Sequence, residues 1–106
     1  MFSKGNMNKL MKQAKEMQNK MLQTQKEIES MEIEANSGGG AVKVKINGKK
    51  EVITLNINSE LLNNDDKEIL EDMIIACVNQ AQQKLDKISK EKMGNVSSGI
   101  PGMPGF

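Results

Sequence analysis

The chain has 106 residues, 37% of them apolar, and its 15 Lys, no Arg and 14 acidic residues leave a net charge of +1. That is one domain with a thin supply of core residues, so a lone protomer is marginal and self-association is the simplest remedy. The lack of His and the single Cys speak against a zinc site and against Ser/His/Asp or Cys/His catalysis, and no N-terminal apolar run suits a signal peptide or membrane span. The expectation is a cytoplasmic protein that is not an enzyme, with no cofactor, no metal site and no small-molecule substrate.

From Met7 to Met31 the apolar pattern is heptad-like. Positions 7, 10, 14, 17, 21, 24, 28 and 31 read Met, Leu, Ala, Met, Met, Thr, Ile, Met. Alternating steps of three and four place all eight on one helical seam, with Met11 and Leu22 widening it. Asn6 or Asn8 suits the capping position. Ser37-Gly38-Gly39-Gly40 breaks the pattern. No Lys-Ser/Thr follows it, as a phosphate loop would require, so it reads as a flexible turn.

Two alternating segments follow. Val42, Val44 and Ile46 point one way from Ala41–Asn47, with Lys43 and Lys45 on the other face. In Glu51–Asn58, Ile53, Leu55 and Ile57 share a face opposite Val52, Thr54 and Asn56. Asn47-Gly48 between them predicts a hairpin. Parity allows a two-residue turn, or a four-residue loop at Asn47–Lys50 that sets Val44 opposite Ile53. The four-residue loop pairs more apolar residues, whereas a three-residue loop would split the apolar sets between faces. Glu32–Asn36 suits a third short strand.

Asp65 with Glu68 resembles a capping box opening a second helix that runs to about Met93. Ile69, Leu70, Met73, Ile74, Cys77, Val78, Ala81, Leu85 and Ile88 form its stripe. The stripe is widest over residues 69–81, where the deepest burial is expected. Cys77 lies within it and reads as a core thiol, and Asp65-Asp66 with Glu71-Asp72 read as acids complementing the helix dipole. After Met93 the composition turns to Gly, Pro and Ser. The expected organisation is one domain over residues 1–93 and a flexible tail over 94–106.

The fold class is therefore α+β: two long helices flanking a small antiparallel sheet, in the order α-β-β(-β)-α. Helices of about 26 and 28 residues span ~39 and ~42 Å, against ~23 Å for a seven-residue strand. Each helix should overhang the sheet by roughly 15–20 Å. Charge follows the same axis. Residues 1–26 hold six Lys and one Glu, residues 84–92 four Lys and two acids, and residues 27–72 five Lys and eleven acids. If the helices run antiparallel on one side, both far ends are basic. The dipole does not favour Lys9, Lys12 and Lys15 near a helix N-terminus. A polyanion partner gives that placement a purpose. With no Tyr, Trp or Arg, neither base stacking nor bidentate guanine reading is expected, which leaves phosphate contact. The residues in place for it are Lys9, Lys12, Lys15, Lys20, Lys84, Lys87, Lys90 and Lys92. A Met-rich seam can also serve a protein-interaction adaptor, which is the alternative reading.

Several segments in order carry a resemblance. They are Lys4-Gly5-Asn6-Met7, Leu10-Met11-Lys12-Gln13-Ala14, Val42-Lys43-Val44, Ile46-Asn47-Gly48, Leu61-Leu62, Asp66-Lys67-Glu68, Leu70-Glu71-Asp72, Lys90-Glu91-Lys92-Met93 and Val96-Ser97-Ser98-Gly99. Over nearly its whole length the chain resembles the YbaB/EbfC family of bacterial nucleoid-associated proteins. The resemblance implies a homodimer joined through its sheet region, with tweezer-like helical arms whose tips contact duplex DNA. It also implies a place in the nucleoid, a role in its organisation and, in some members, gene regulation. Members often carry paired Arg in the second hairpin strand and the last helix; here Ile53-Thr54 and Gln83-Lys84 stand there, with Lys84 and Lys87 as partial substitutes.

Overall fold

The computed structural model describes residues 4–98. Helix α1 (Lys4–Glu29) leads into strand β1 (Glu32–Ser37), then a short 3₁₀ turn at Gly38–Gly40. Strands β2 (Val42–Asn47) and β3 (Val52–Ile57) follow, then a second 3₁₀ turn at Ser59–Leu61 and helix α2 (Lys67–Ser98). The third strand expected from Glu32–Asn36 is present. The sheet is antiparallel in the order β1-β2-β3.

The alternating pattern fixes the core. Ile33 and Ala35 of β1 and Val42, Val44 and Ile46 of β2 are buried on one face, under Cys77, Ala81 and Leu85 of α2. Cys77 Sγ donates to Ala35 O at 3.2 Å and lies 3.7 Å from Val42 O, so the thiol is a packed core group. Ser37 Oγ donates to Met73 O at 2.8 Å, and Lys84 Nζ to Glu34 O at 3.1 Å, tying α2 along the β1 edge.

The hairpin departs from expectation. Asn47 N donates to Glu51 O, which closes a three-residue loop, Gly48–Lys50. Such a loop alone would send the apolar sets to opposite faces. A bulge mends this: Ile46 pairs with Val52 but Lys45 pairs with Thr54, leaving Ile53 as the extra residue. Val44 then faces Leu55 and Val42 faces Ile57. Lys50 takes the left-handed conformation at φ 69°, as the third position of such a loop demands.

Three further expectations are corrected. The deepest burial on α2 lies at Cys77 and Ala81, inside the expected span, and at Leu85 beyond it, whereas Ile69 and Ile75 within the span are exposed. The cause is placement: α2 crosses the sheet between Met73 and Asp86, so Ile69 hangs past it, while Ile75 stands on a flank of the helix turned away from the buried stripe. Helix α2 does not stop at Met93 but runs five residues on, to Ser98, with Gly94 inside it. A glycine inside a helix costs about 1 kcal/mol against Ala, which the continuing backbone ladder and half-buried Met93 and Val96 offset. Asp66, not Asp65, accepts the first helical bond through its carbonyl, from Leu70 N, while Asn63 Oδ1 receives Asp66 N and Asn63 Nδ2 donates to Asp66 Oδ2. The rest of the expected tail, residues 99–106, lies outside the described residues.

Candidate nucleic-acid interface

The overhang is large and unequal. Helix α1 meets the sheet only at its last turn, where Ile28 is buried and the Asn47-Gly48 turn abuts the Ile28 and Glu29 backbone. Between Gly5 and Glu27 only Met17 and Thr24 are even half-buried. Helix α1 thus projects about 36 Å from the sheet, twice the expected length. Helix α2 leaves the same end of the sheet beyond Asp86 and projects roughly 18 Å. Together they draw the chain out to 74 × 22 × 16 Å. Where they touch, the helices run in opposite directions. By their rise, α1 residues before about position 16 reach past Ser98.

This geometry distributes the eight lysines. Lys9, Lys12, Lys15 and Lys20 are all exposed on the α1 arm. At about 100° per residue, Lys12 and Lys15 lie on the back of the apolar seam, and Lys9 and Lys20 on one flank. On α2, Lys87 and Lys90 are exposed and point away from the buried stripe, while Lys92 is half-buried. Lys84 is elsewhere: its ammonium sits on the Glu34 carbonyl over the β1 edge, not at an arm end. By the same reckoning Lys87, Lys90 and Lys92 lie level with about positions 27, 24 and 22 of α1, Lys20 stands just beyond them, and Lys9, Lys12 and Lys15 stand past the end of α2. None of the ion pairs among the described residues involves any of these eight.

The electrostatics of the α1 end reinforce this. The first turn of α1 holds no acidic residue, so lysine charge adds to the positive end of the helix dipole. Lys45, Lys50 and Lys67, by contrast, are each paired with an acid. Lys45 lies 3.4 Å from Glu32 and 3.6 Å from Glu34 on the outer face of the sheet. Its ammonium is held above the ordinary lysine range, first by the hydrogen bond to Glu32 and then by attraction to Glu32 and Glu34. That outer face is a shallow polar depression lined by Glu34, Asn36, Lys43, Lys45, Thr54 and Asn56. Among the described residues, no group of three His, Cys, Asp or Glu is placed to hold a metal ion, and no helix is long and apolar enough to cross a membrane.

Two features escaped the sequence. One is Gly48, whose turn abuts the base of α1; Asn47-Gly48 signals a hairpin but not what lies against it. The other is the bareness of β3. Val52, Ile53 and Leu55 are 45–50% exposed, because α2 covers β1 and β2 and leaves β3 open. Ile75, 58% exposed, lies on the flank of α2 opposite Lys84 and therefore on the β3 side.

Comparison with known proteins matches this architecture. The sequence profile of the YbaB/EbfC DNA-binding family covers residues 3–100. A Clostridium perfringens protein named nucleoid-associated protein is 53% identical over 96% of this chain and 90% of its own length. One of the same name from Caldicellulosiruptor bescii is 56% identical over 92% of this chain and 88% of its own. A crystal structure of a Helicobacter pylori protein superposes with a TM-score of 0.69 over 90% of this chain and 97% of the other, at 23% identity, and shares the fold. The chain belongs to the YbaB/EbfC DNA-binding family.

Proposed function

We propose that this protein is a nucleoid-associated protein that binds duplex DNA as a homodimer, through phosphate contacts made by its basic arms, with low to modest sequence specificity. One observation carries the reading: a helix projecting some 36 Å from its sheet, with four exposed lysines and one acid between Gly5 and Gln25. Phosphate contact needs only accessible cations, and lysine without arginine gives little base readout. The relatives' names support the nucleoid as its place in the cell and DNA as its partner.

The dimer is supported by the asymmetry of the two sheet edges. The β1 edge is guarded by Glu32, Glu34 and the Lys84 ammonium, as edge strands of soluble proteins usually are. The β3 edge carries Val52, Ile53 and Leu55 with no such guard, and Ile75 of α2 is exposed on the same side of the sheet. A second copy seated there covers both the apolar row and the open edge.

Fluorescence anisotropy with a labelled duplex at several salt concentrations tests the DNA reading. Wild type should show log K falling linearly with log salt. A Lys9/Lys12/Lys15/Lys20→Ala variant should show a slope shallower by about 0.9 for each phosphate it no longer neutralises. Binding indifferent to salt, or a variant with the wild-type slope, overturns it. The adaptor reading keeps one observation in its favour, the exposed Met7, Leu10, Met11 and Met21 of α1. It requires a protein partner whose capture survives nuclease treatment.

A further inference from the structure

The β2–β3 turn stands between the two arms and touches both. On one side Gly48 lies against the base of α1. A Cβ built on it overlaps the Ile28 carbonyl and the Glu29 Cα, both backbone atoms that cannot swing aside. On the other side Lys50 Nζ pairs with Asp86 Oδ1 of α2 at 3.1 Å, at the point where α2 leaves the sheet. The turn itself is braced. Asn47 Oδ1 receives Lys49 N at 2.9 Å and Glu51 N at 3.0 Å, and Asn47 Nδ2 donates to Glu51 Oε1 at 3.2 Å. Beyond its contact with α2, helix α1 has little to hold its direction: among its described residues Ile28 alone is buried, and only Met17 and Thr24 before it are half-buried.

We infer that Gly48 is a positioning residue for DNA binding: the bare turn is the seat that sets the direction of the α1 arm relative to α2, and so the register in which the α1 lysines meet a duplex. The inference rests on the DNA reading above and adds a determinant that carries no charge and touches no phosphate. The lever is long. Making room for a methyl moves the base of α1 by more than an ångström, one helical turn from its hinge at Ser30-Met31. Over the ~28 Å from Ile28 to Lys9 that becomes roughly 5–8 Å, about the spacing between neighbouring phosphates of a strand.

The test uses the full-length protein. Spin labels on Asn8→Cys and Asn36→Cys, both exposed sites, report the arm's direction; Cys77 is fully buried and out of reach of the reagent. Labelled chains are diluted with unlabelled ones, so that distances within one chain are read. Gly48→Ala should shift the distance distribution by several ångströms. It should also make the salt slope of duplex binding shallower by about 0.9 or more, weakening binding roughly tenfold at 0.1 M salt. Simple loss of folded protein would lower the active fraction and leave the slope alone. An unchanged distance overturns the seat, and a shifted distance with an unchanged slope overturns its role in DNA binding. If Gly48→Ala does not fold, Ile28→Ala loosens the same seat from the helix side; a distribution as narrow as wild type's then overturns the inference. Salt-indifferent binding by wild type defeats the DNA reading alone, while the distances still judge the seat.

Discussion

Replacing Leu55 with Asp should separate the protein into folded protomers. Full burial of a large aliphatic side chain is worth about 1.5–3 kcal/mol, and Leu55 is 45% exposed in the protomer, so covering the remainder contributes roughly 0.7–1.4 kcal/mol. A symmetric contact counts each substitution twice, which makes the loss about 1.4–3 kcal/mol. Two carboxylates brought into an apolar contact add a desolvation penalty on top. At about 1.4 kcal/mol per tenfold, the dimer dissociation constant should rise at least ten- to a hundredfold. The protomer itself should change little, because the strand is an edge and the side chain already half in water. Sedimentation equilibrium across micromolar concentrations, with far-UV circular dichroism as the check on folding, measures both quantities. Met11→Asp, on the arm and 68% exposed, is the control that should leave association alone. A monomeric wild type at tens of micromolar, or a Leu55→Asp protein that associates as wild type does, refutes the assignment of the β3 face.

Other consequences are open to single measurements. Leu85 is 1% exposed, so Leu85→Ala should lower unfolding free energy by about 2–5 kcal/mol in urea titrations, against less than about 0.5 for Leu22→Ala on the exposed arm; equal effects would mean the core lies elsewhere. Lys12→Ala should lower the salt slope by about 0.9, and Lys84→Ala by less, because its ammonium already sits on the Glu34 carbonyl over the sheet. Lys45 should titrate above the ordinary lysine range in heteronuclear NMR, and Glu32→Gln should lower it more than Glu34→Gln. A raised folded pKa means the contribution to stability is complete below the unfolded value and fades as pH rises through the folded one. The effect therefore belongs to alkaline pH, and a titration unmoved by Glu32→Gln would disprove the cause given.

What the sequence disclosed, and what it hid, divides along physical lines. Alternation in residues 42–47 reports which side chains share a face, and Val42, Val44 and Ile46 are buried together as it demanded; in 52–57 the bulge breaks it and sets Val52, not Ile53, on the face of Leu55 and Ile57. The loop length was hidden because parity assumes an unbroken ladder. One inserted residue, Ile53, reverses the parity and makes the three-residue loop acceptable. Lys50 in the left-handed conformation leaves no trace in the sequence, since glycine or asparagine is the residue that would announce it. Depth of burial on α2 was hidden for another reason. The stripe from Ile69 to Ile88 shows which face is apolar, but only the crossing point at Met73–Asp86 decides which part of it meets the sheet.

The α1 arm shows the same division and sharpens the functional choice. Its heptad seam promises a helical partner over the whole length, yet within the chain the helix finds cover only at Met17, Thr24 and its Ile28 end, leaving Met7, Leu10 and Met21 exposed. Its lysines promise an anion. Both demands fall on the same 26 residues, and from composition alone they look like rivals for one surface. The helix separates them: Lys12 and Lys15 stand behind the seam, so a duplex against the lysines leaves the methionines accessible. DNA binding and a protein contact along the seam are therefore compatible on one arm. A protein captured by the seam should stay bound when DNA is present. Substituting Lys12 and Lys15 should weaken DNA binding and leave that protein in place, and a partner displaced by duplex DNA would show that the two faces are one.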